Sequence, residues 1–388
     1  MATSVKVKLN NPALLRWARE AAGYSAEDMA QALHRPTEQV LAWETGEAQP
    51  TYRQLQAYAA KVKRSVSTLF LPEPPDEPGP LPDYRLRPGT AAGDYPPATR
   101  LAVRMLRNSL QDLRDLLDEM TEPIHLDLPQ WPDASDPEQM ATTMRELLGV
   151  TVEEQTTWRD TRRALDEWRD ALFGHGAICQ VLKLPVAEAR GISLIECGLG
   201  GIGLSSQDAD AARPFSLFHE VAHLCLRRPG VSGDTSDEVD EGSEEGAQVE
   251  RFCDRFAGAF LLPAGDALVR NALDDLAACF SRDRAERYAR TFGVSKYVFA
   301  RRATELGLVP PSAYWSAHMA WEAQDAARSR PMGQPDYVRV TVSHTGKRYV
   351  ATVLEALDRG IVTRHTASRL LALQSAALDR ARGMVAPI

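Results

Sequence analysis

The sequence predicts an α+β protein, mostly helical: a helical head, a larger domain with a small β-sheet, and a small α/β C-terminal extension. Three observations predict this. Apolar residues recur at helical spacing through most of the 388 residues. Three short β-rich runs, 177–182, 192–195 and 202–205, interrupt that pattern between Gly or charged turns. Nine of the 25 prolines fall in residues 72–98, where fixed φ and missing donors exclude a helix or central strand. Composition bounds the rest. The net charge of -8 excludes a wholesale nucleic-acid coat. No apolar run approaches the roughly 18 residues of a membrane helix, so no membrane partner is expected. Five scattered cysteines without paired spacing point to a reducing cytoplasm.

The expected domains are 1–71, a Pro-rich linker at 72–97, a helical segment with the sheet-bearing domain at 98–310, and 311–388. Residues 1–70 carry nine Lys/Arg and six Asp/Glu, a local net of +3. They read as five short helices. One runs from Pro12 to Ala22 and stops at Gly23. The next begins at Ser25 with Glu27 and Asp28 in its first turn. Arg35-Pro36 breaks the chain, and a third helix runs from Thr37 to Thr45 before Gly46. Two helices joined by a short turn, with positive charge, suit DNA binding. Thr37, Gln39 and Ala42 would face bases. Arg35, Arg53, Lys61, Lys63 and Arg64 would meet phosphates. Glu38 places a negative charge on the same helix.

From Ala98 to Glu122 the spacing of Leu101, Met105, Leu106, Leu110, Leu113, Leu117 and Met120 predicts one long amphipathic helix. Shorter helices follow near 137–148 and 158–173. After the β-rich runs, helices are expected at 214–227, 247–262, 283–291 and 295–306. Residues 308–336 read as breaker-rich. The tail reads as a strand, Val338 to Val342, and helices near 347–359 and 364–377.

The chemistry concentrates in His219-Glu220-Val221-Ala222-His223. On a helix, residues i and i+4 share a face with Cβ atoms about 5–6 Å apart. Two imidazoles so placed bind one tetrahedral Zn²⁺, and Glu220 reaches water at the open position as general base. The following helix offers Glu250 as a third ligand. Asp254, one turn on, would orient a histidine. Phe252, Phe256 and Phe260 form a separate apolar stripe that reads as core. Between the two helices, residues 232–246 hold seven acids and no base, which reads as a solvated loop. Cys197, in a Gly-rich turn, reads as an inert thiol.

The metal motif, with Glu250-x-x-Cys-Asp-x-Phe-Ala-x-x-Phe-Leu-Leu-Pro after it, resembles the ImmA/IrrE family of zinc metallo-endopeptidases. The likeness covers about 170–310. It implies a zincin-like core with His219, His223 and Glu250 as zinc ligands and Glu220 catalytic. Asp254 stands where that family usually has asparagine. The run Ser25-x-x-x-Met29-Ala30-x-x-Leu33, then Val40-x-x-Trp43-Glu44-x-Gly46, resembles the Xre/Cro-type helix-turn-helix domain, with Ala26 where glutamine is usual. Together the resemblances imply cleavage of a protein substrate, an Xre-type repressor, that derepresses stress, mobile-element or defence genes. The head would bind duplex DNA, with docking or homodimer formation as the other use of that fold. The alternative is a regulator or antitoxin that binds a cognate toxin through a peptidase-like scaffold.

Overall fold

The computed structural model describes residues 5–77, 79, 81, 95–132, 136–232, 244–327 and 336–385. These divide into two compact units, 1–80 with 91–105, and 81–90 with 106–388.

The first unit holds α1 (Ala13–Ala21), α2 (Ala26–Leu33), α3 (Thr37–Thr45) and α4 (Tyr52–Lys61), then a 3₁₀ turn at Ser67–Phe70 where a fifth helix was expected. Ser25 and Thr51 cap α2 and α4, each within a capping box. Leu15, Met29, Val40, Trp43, Leu55 and Leu69 pack the centre. Charge is buried there too. Arg19 donates from Nε to Glu44 Oε1 at 2.7 Å and from Nη2 to Glu44 Oε2 at 2.9 Å. The Tyr58 hydroxyl sits 2.9 Å from Glu44 Oε1 and 2.8 Å from the Leu15 carbonyl.

Helix α5 (Pro97–Glu119) gives its residues up to Met105 to the first unit and the remainder to the second. The second unit continues with α6 (Pro137–Leu148), α7 (Val152–Trp158) and α8 (Thr161–Gly174), then β1 (Ala177–Leu182), β2 (Gly191–Glu196) and β3 (Leu199–Ser205). After α9 (Arg213–Cys225) a two-residue β4 (Val231–Ser232) completes a sheet of order β1-β3-β2-β4. Of its neighbouring pairs, β1–β3 is parallel, whereas β3–β2 and β2–β4 are antiparallel. Residues alternate between the faces of β3. A Cβ on Gly200 would meet Leu224 of α9 at 3.0 Å, and one on Gly201 would meet Leu110 of α5 at 2.8 Å. The glycines thus let a helix lie close on each face.

Helices α10 (Glu244–Leu261), α11 (Ala267–Ala278), α12 (Arg282–Phe292), α13 (Lys296–Glu305) and α14 (Pro311–Ala326) follow. An aromatic cluster locks α9 to α10. Phe218 and Phe260 stack at 3.7 Å, and Trp168 meets them edge-on at 5.2 and 5.0 Å. The phenylalanine stripe is therefore core at Phe256 and Phe260, both fully buried.

Two expectations fail. The breaker-rich stretch contains α14, a helix of 16 residues that starts directly at Pro310-Pro311. Proline at the first helical position marks a helix start, because its missing N–H has no partner to lose. The expected strand Val338 to Val342 is a helix, α15 (Tyr337–Thr345). Asp336 caps it by accepting from the Val338 and Arg339 amides, and Val338 and Val342 are buried at i, i+4 spacing. The tail continues as α16 (Lys347–Asp358), α17 (Arg364–Leu370), a 3₁₀ turn and α18 (Leu378–Arg382), all helical among the described residues. Buried Arg169 of α8 ties this tail to the sheet, donating to the carbonyls of Cys179 in β1 and of Ser343 and His344 in α15. The acidic stretch falls, from 233 to 243, outside the described residues, as does 82–94 of the Pro-rich segment.

Candidate metal centre

Helix α9 is buried along almost its whole length, sheet on one side and α10 on the other. It brings His219 and His223 onto the α10 side with their Nε2 atoms 3.3 Å apart. Glu250 of α10 completes the convergence. Its Oε2 lies 3.2 Å from His219 Nε2 and its Oε1 3.0 Å from His223 Nε2. All three side chains are buried.

The outer nitrogens decide the tautomers. The Arg228 carbonyl lies 3.1 Å from His223 Nδ1 and can only accept, so that Nδ1 carries the proton. His219 Nδ1 likewise faces Asp254 Oδ1 at 2.9 Å. Each neutral imidazole then turns a lone pair from Nε2 toward Glu250. Neither Glu250 oxygen has a hydrogen-bond partner among the described residues. Acceptors facing acceptors in a buried site require something positive between them. Without a metal, that is a proton. Burial would lower the His219 pKa, but Glu250 and Asp254 carry it well above the ordinary imidazole value. Burial would likewise raise Glu250, yet His219 and His223 hold it below the usual carboxylate range. A divalent cation is the other solution, and the donor set of two nitrogens and a carboxylate fits one.

Asp254 is itself held. Its Oδ2 accepts from Arg301 Nη2 of α13 at 3.0 Å. Asp254 thus stands where a partner for the His219 ring is expected from the sequence, whereas Arg301 and the Arg228 carbonyl come from segments that no local pattern marks. Cys253 is a further group not expected there, with its Sγ within 4.8 Å of a ring nitrogen on each histidine. Burial pushes the Cys253 thiol well above its usual pKa, and Glu250 adds to the shift. Of the two, Glu250 is the stronger candidate donor, because its carboxyl pKa is lowered and its oxygens lie 3.0–3.2 Å from the two imidazoles.

Glu220 points to the other side of the pair, next to β2. Its Oε2 is buried without a hydrogen-bond partner among the described residues. Burial raises its pKa, opposed by His223 and His219. Gly191 makes room for it: a Cβ there would overlap Glu220 Oε1 and sit 2.7 Å from its Cδ. His219, Glu220, Asp254, Gly191 and Arg301 all line one cleft of about 1130 Å³.

In the head, Arg35 and Arg53 are exposed, whereas Thr37, Gln39 and Ala42 are half-buried. The most exposed stripe of α3 is Glu38, Leu41 and Thr45. Arg64, expected at phosphate, pairs with Glu77 at 2.7 Å and lies 3.9 Å over the Trp17 ring. Cys197 is half-buried, with its thiol 3.0 Å from Gln111 Oε1.

Comparison with known families agrees with this division. Residues 180–304 match the family model described as the IrrE N-terminal-like domain, of a metallopeptidase family, and residues 15–69 match the helix-turn-helix model. Neither the curated proteins nor the solved structures yield a match. Residues 180–304 are thus an IrrE N-terminal-like domain of metallopeptidase type, carried behind a helix-turn-helix domain of the DNA-binding kind, as the ImmA/IrrE and Xre/Cro resemblances imply.

Proposed function

We propose that the protein is a zinc-dependent endopeptidase acting on a protein substrate, an Xre-type repressor, whose cleavage derepresses stress, mobile-element or defence genes. The observation that carries this reading is the buried convergence of two imidazole nitrogens and a carboxylate within 3.0–3.3 Å of one another, with His219 and Glu220 lining the cleft. His219, His223 and Glu250 would hold the ion. When bound, zinc supplies the Lewis acidity that makes water a nucleophile near neutral pH and polarises the scissile carbonyl.

The remaining steps belong to this chain. Glu220 takes the water proton and returns it to the leaving amine. Its burial raises its pKa, which brings it closer to that exchange. Gly191 keeps open the space that the Glu220 carboxyl occupies. Asp254 and the Arg228 carbonyl fix the imidazole rings. The domain limits at 71, 97 and 310 belong to this reading, as does a cytoplasmic setting in which the five unpaired cysteines stay reduced. The head would bring the peptidase to duplex DNA through Arg35, Arg53, Thr37, Gln39 and Ala42. The exposed Glu38 and Leu41 favour a second use of α3, docking onto a protein partner.

The test compares wild type, Glu220→Gln and a chelated sample, each incubated with candidate repressors and read by mass spectrometry. Cleavage by wild type alone is expected, with a loss of about 10²–10⁴-fold in Glu220→Gln. Equal products in all three samples sink the mechanism.

A further inference from the structure

The cleft extends beyond the metal centre to a wall that the reaction does not use. Four rings line it: Tyr297 of α13 and Tyr314, Trp315 and His318 of α14. Their centroids lie 4.8 Å apart for Tyr297–His318, 5.0 Å for Tyr314–Trp315 and 5.6 Å for Trp315–His318. The planes are tilted by 55–70°. Tilted rings present both edges and faces, which is how aromatic side chains receive another ring. Trp315 leaves 43% of its surface exposed, although it stands in a concave site beside buried Tyr314.

The wall is held in place before anything binds. Asp325 of α14 accepts from Arg282 Nη2 at 2.5 Å, from Lys296 Nζ at 2.5 Å and from the Tyr297 hydroxyl at 2.7 Å. Burial would raise the Asp325 pKa, but these donors hold it far below the usual carboxylate range. This clamp ties α14 to α12 and α13. A ligand meeting a fixed wall does not bear the entropy of ordering it.

The wall is also continuous with the metal centre. Tyr297 and Arg301 are i, i+4 on α13 and share a face. Arg301 reaches Asp254, and Asp254 reaches His219. An extended chain advances about 3.3 Å per residue, so it covers one helical turn plus one side chain within a few residues.

We propose that Tyr297, Tyr314, Trp315 and His318 form a pocket for an aromatic side chain of the substrate, a few residues from the scissile bond. The proposal rests on the peptidase reading for its substrate, but binding in the pocket does not require cleavage. Two assays separate the two claims. In the first, full-length Glu220→Gln protein loaded with zinc is immobilised and offered a random peptide library displayed on phage. Recovered peptides should carry Phe, Tyr or Trp at one fixed position. Adding Trp315→Ala should reduce that enrichment at least about tenfold, and Trp315→Phe should restore most of it. Zinc content and melting temperature confirm that both variants fold. In the second, wild type digests the same peptides, and mass spectrometry should place the aromatic residue at a constant distance from the cut.

Recovered peptides without aromatic preference overturn the pocket, as does a preference that Trp315→Ala leaves intact. So does recovery of no peptide at all. A change of oligomeric state in Trp315→Ala overturns it in favour of contact between copies. Aromatic peptides that bind but are never cut remove the peptidase reading and leave the pocket standing.

Discussion

Two buried charge clusters distinguish the two units. In the head, Arg19, Glu44 and Tyr58 pair donors with acceptors: a guanidinium forks onto a carboxylate and a hydroxyl adds a third contact. In the second unit, His219, His223 and Glu250 turn acceptors toward one another. Both clusters are buried and both contain a carboxylate. The first cluster is complete and stabilises one geometry; the second is complete only with a proton or a cation. In this molecule the paired cluster holds the head together, whereas the one of facing acceptors is the candidate for chemistry.

The largest expected effect tests the first half of this contrast. Glu44→Ala leaves Arg19 buried without its carboxylate and should destabilise the head by about 3–5 kcal/mol. The same truncation at Glu250, made in metal-free protein at a pH above the raised His219 value, should cost the second unit clearly less, because no proton then bridges the facing acceptors and the change relieves them. Calorimetry of both variants measures this. Equal costs would erase the distinction between the clusters.

Metal should stabilise only the second unit. At 100 times the dissociation constant, zinc should add about 2.7 kcal/mol to its unfolding free energy and leave the head unchanged. Glu250→Ala should abolish that gain, while Cys253→Ala should keep it. The reverse outcome would transfer the third ligand from the carboxylate to the thiol. Asp254→Ala should weaken zinc by about 10–100-fold, because His219 loses the partner that fixes its ring. Titration against a competing chelator reads the difference. Unchanged affinity would make the Arg301–Asp254–His219 chain a packing feature only.

The legible and illegible parts of this centre differ in how far the chain must travel. His219, Glu220 and His223 sit within one helical turn and a half, so helical period alone aligns them. Glu250 and Asp254 needed only one further helix with its own period. Gly191, Arg228 and Arg301 come from a strand, a loop and a later helix, and nothing local marks them before the chain closes. Gly191 reads as an ordinary strand start until Glu220 is placed against it. The failures have local causes. Val338-Arg339-Val340-Thr341-Val342 alternates as a strand does, but the Asp336 cap and burial of Val338 and Val342 win over β-propensity. Pro310-Pro311 reads as a breaker, whereas it opens α14 and with it the aromatic wall of the cleft.

The smallest expected effect is the release of about one proton when zinc binds near pH 7, since ligand imidazoles must be deprotonated. The sign follows from His219. Its folded pKa is raised, so in metal-free protein the proton on this ring stabilises the fold below the unfolded imidazole value. That stabilisation is lost as pH rises through the folded value. Glu250 runs the other way: its folded pKa is lowered, so its contribution holds above the ordinary carboxylate value and is lost in acid. The metal-free second unit should therefore be most stable between these limits and lose stability on the alkaline side. With zinc bound, His219 Nε2 has no proton to lose, and the alkaline loss should vanish. Zinc titrations in two buffers of different ionisation enthalpy read the released proton directly, and its amount should fall toward zero as pH passes the raised His219 value. The head supplies the internal control, because Arg19 keeps its proton throughout and its pairing with Glu44 has no partner to exchange. Proton release that is absent at pH 7, or that persists unchanged into alkaline solution, would mean that the facing acceptors of the second unit are already satisfied and that the two clusters do not differ in kind.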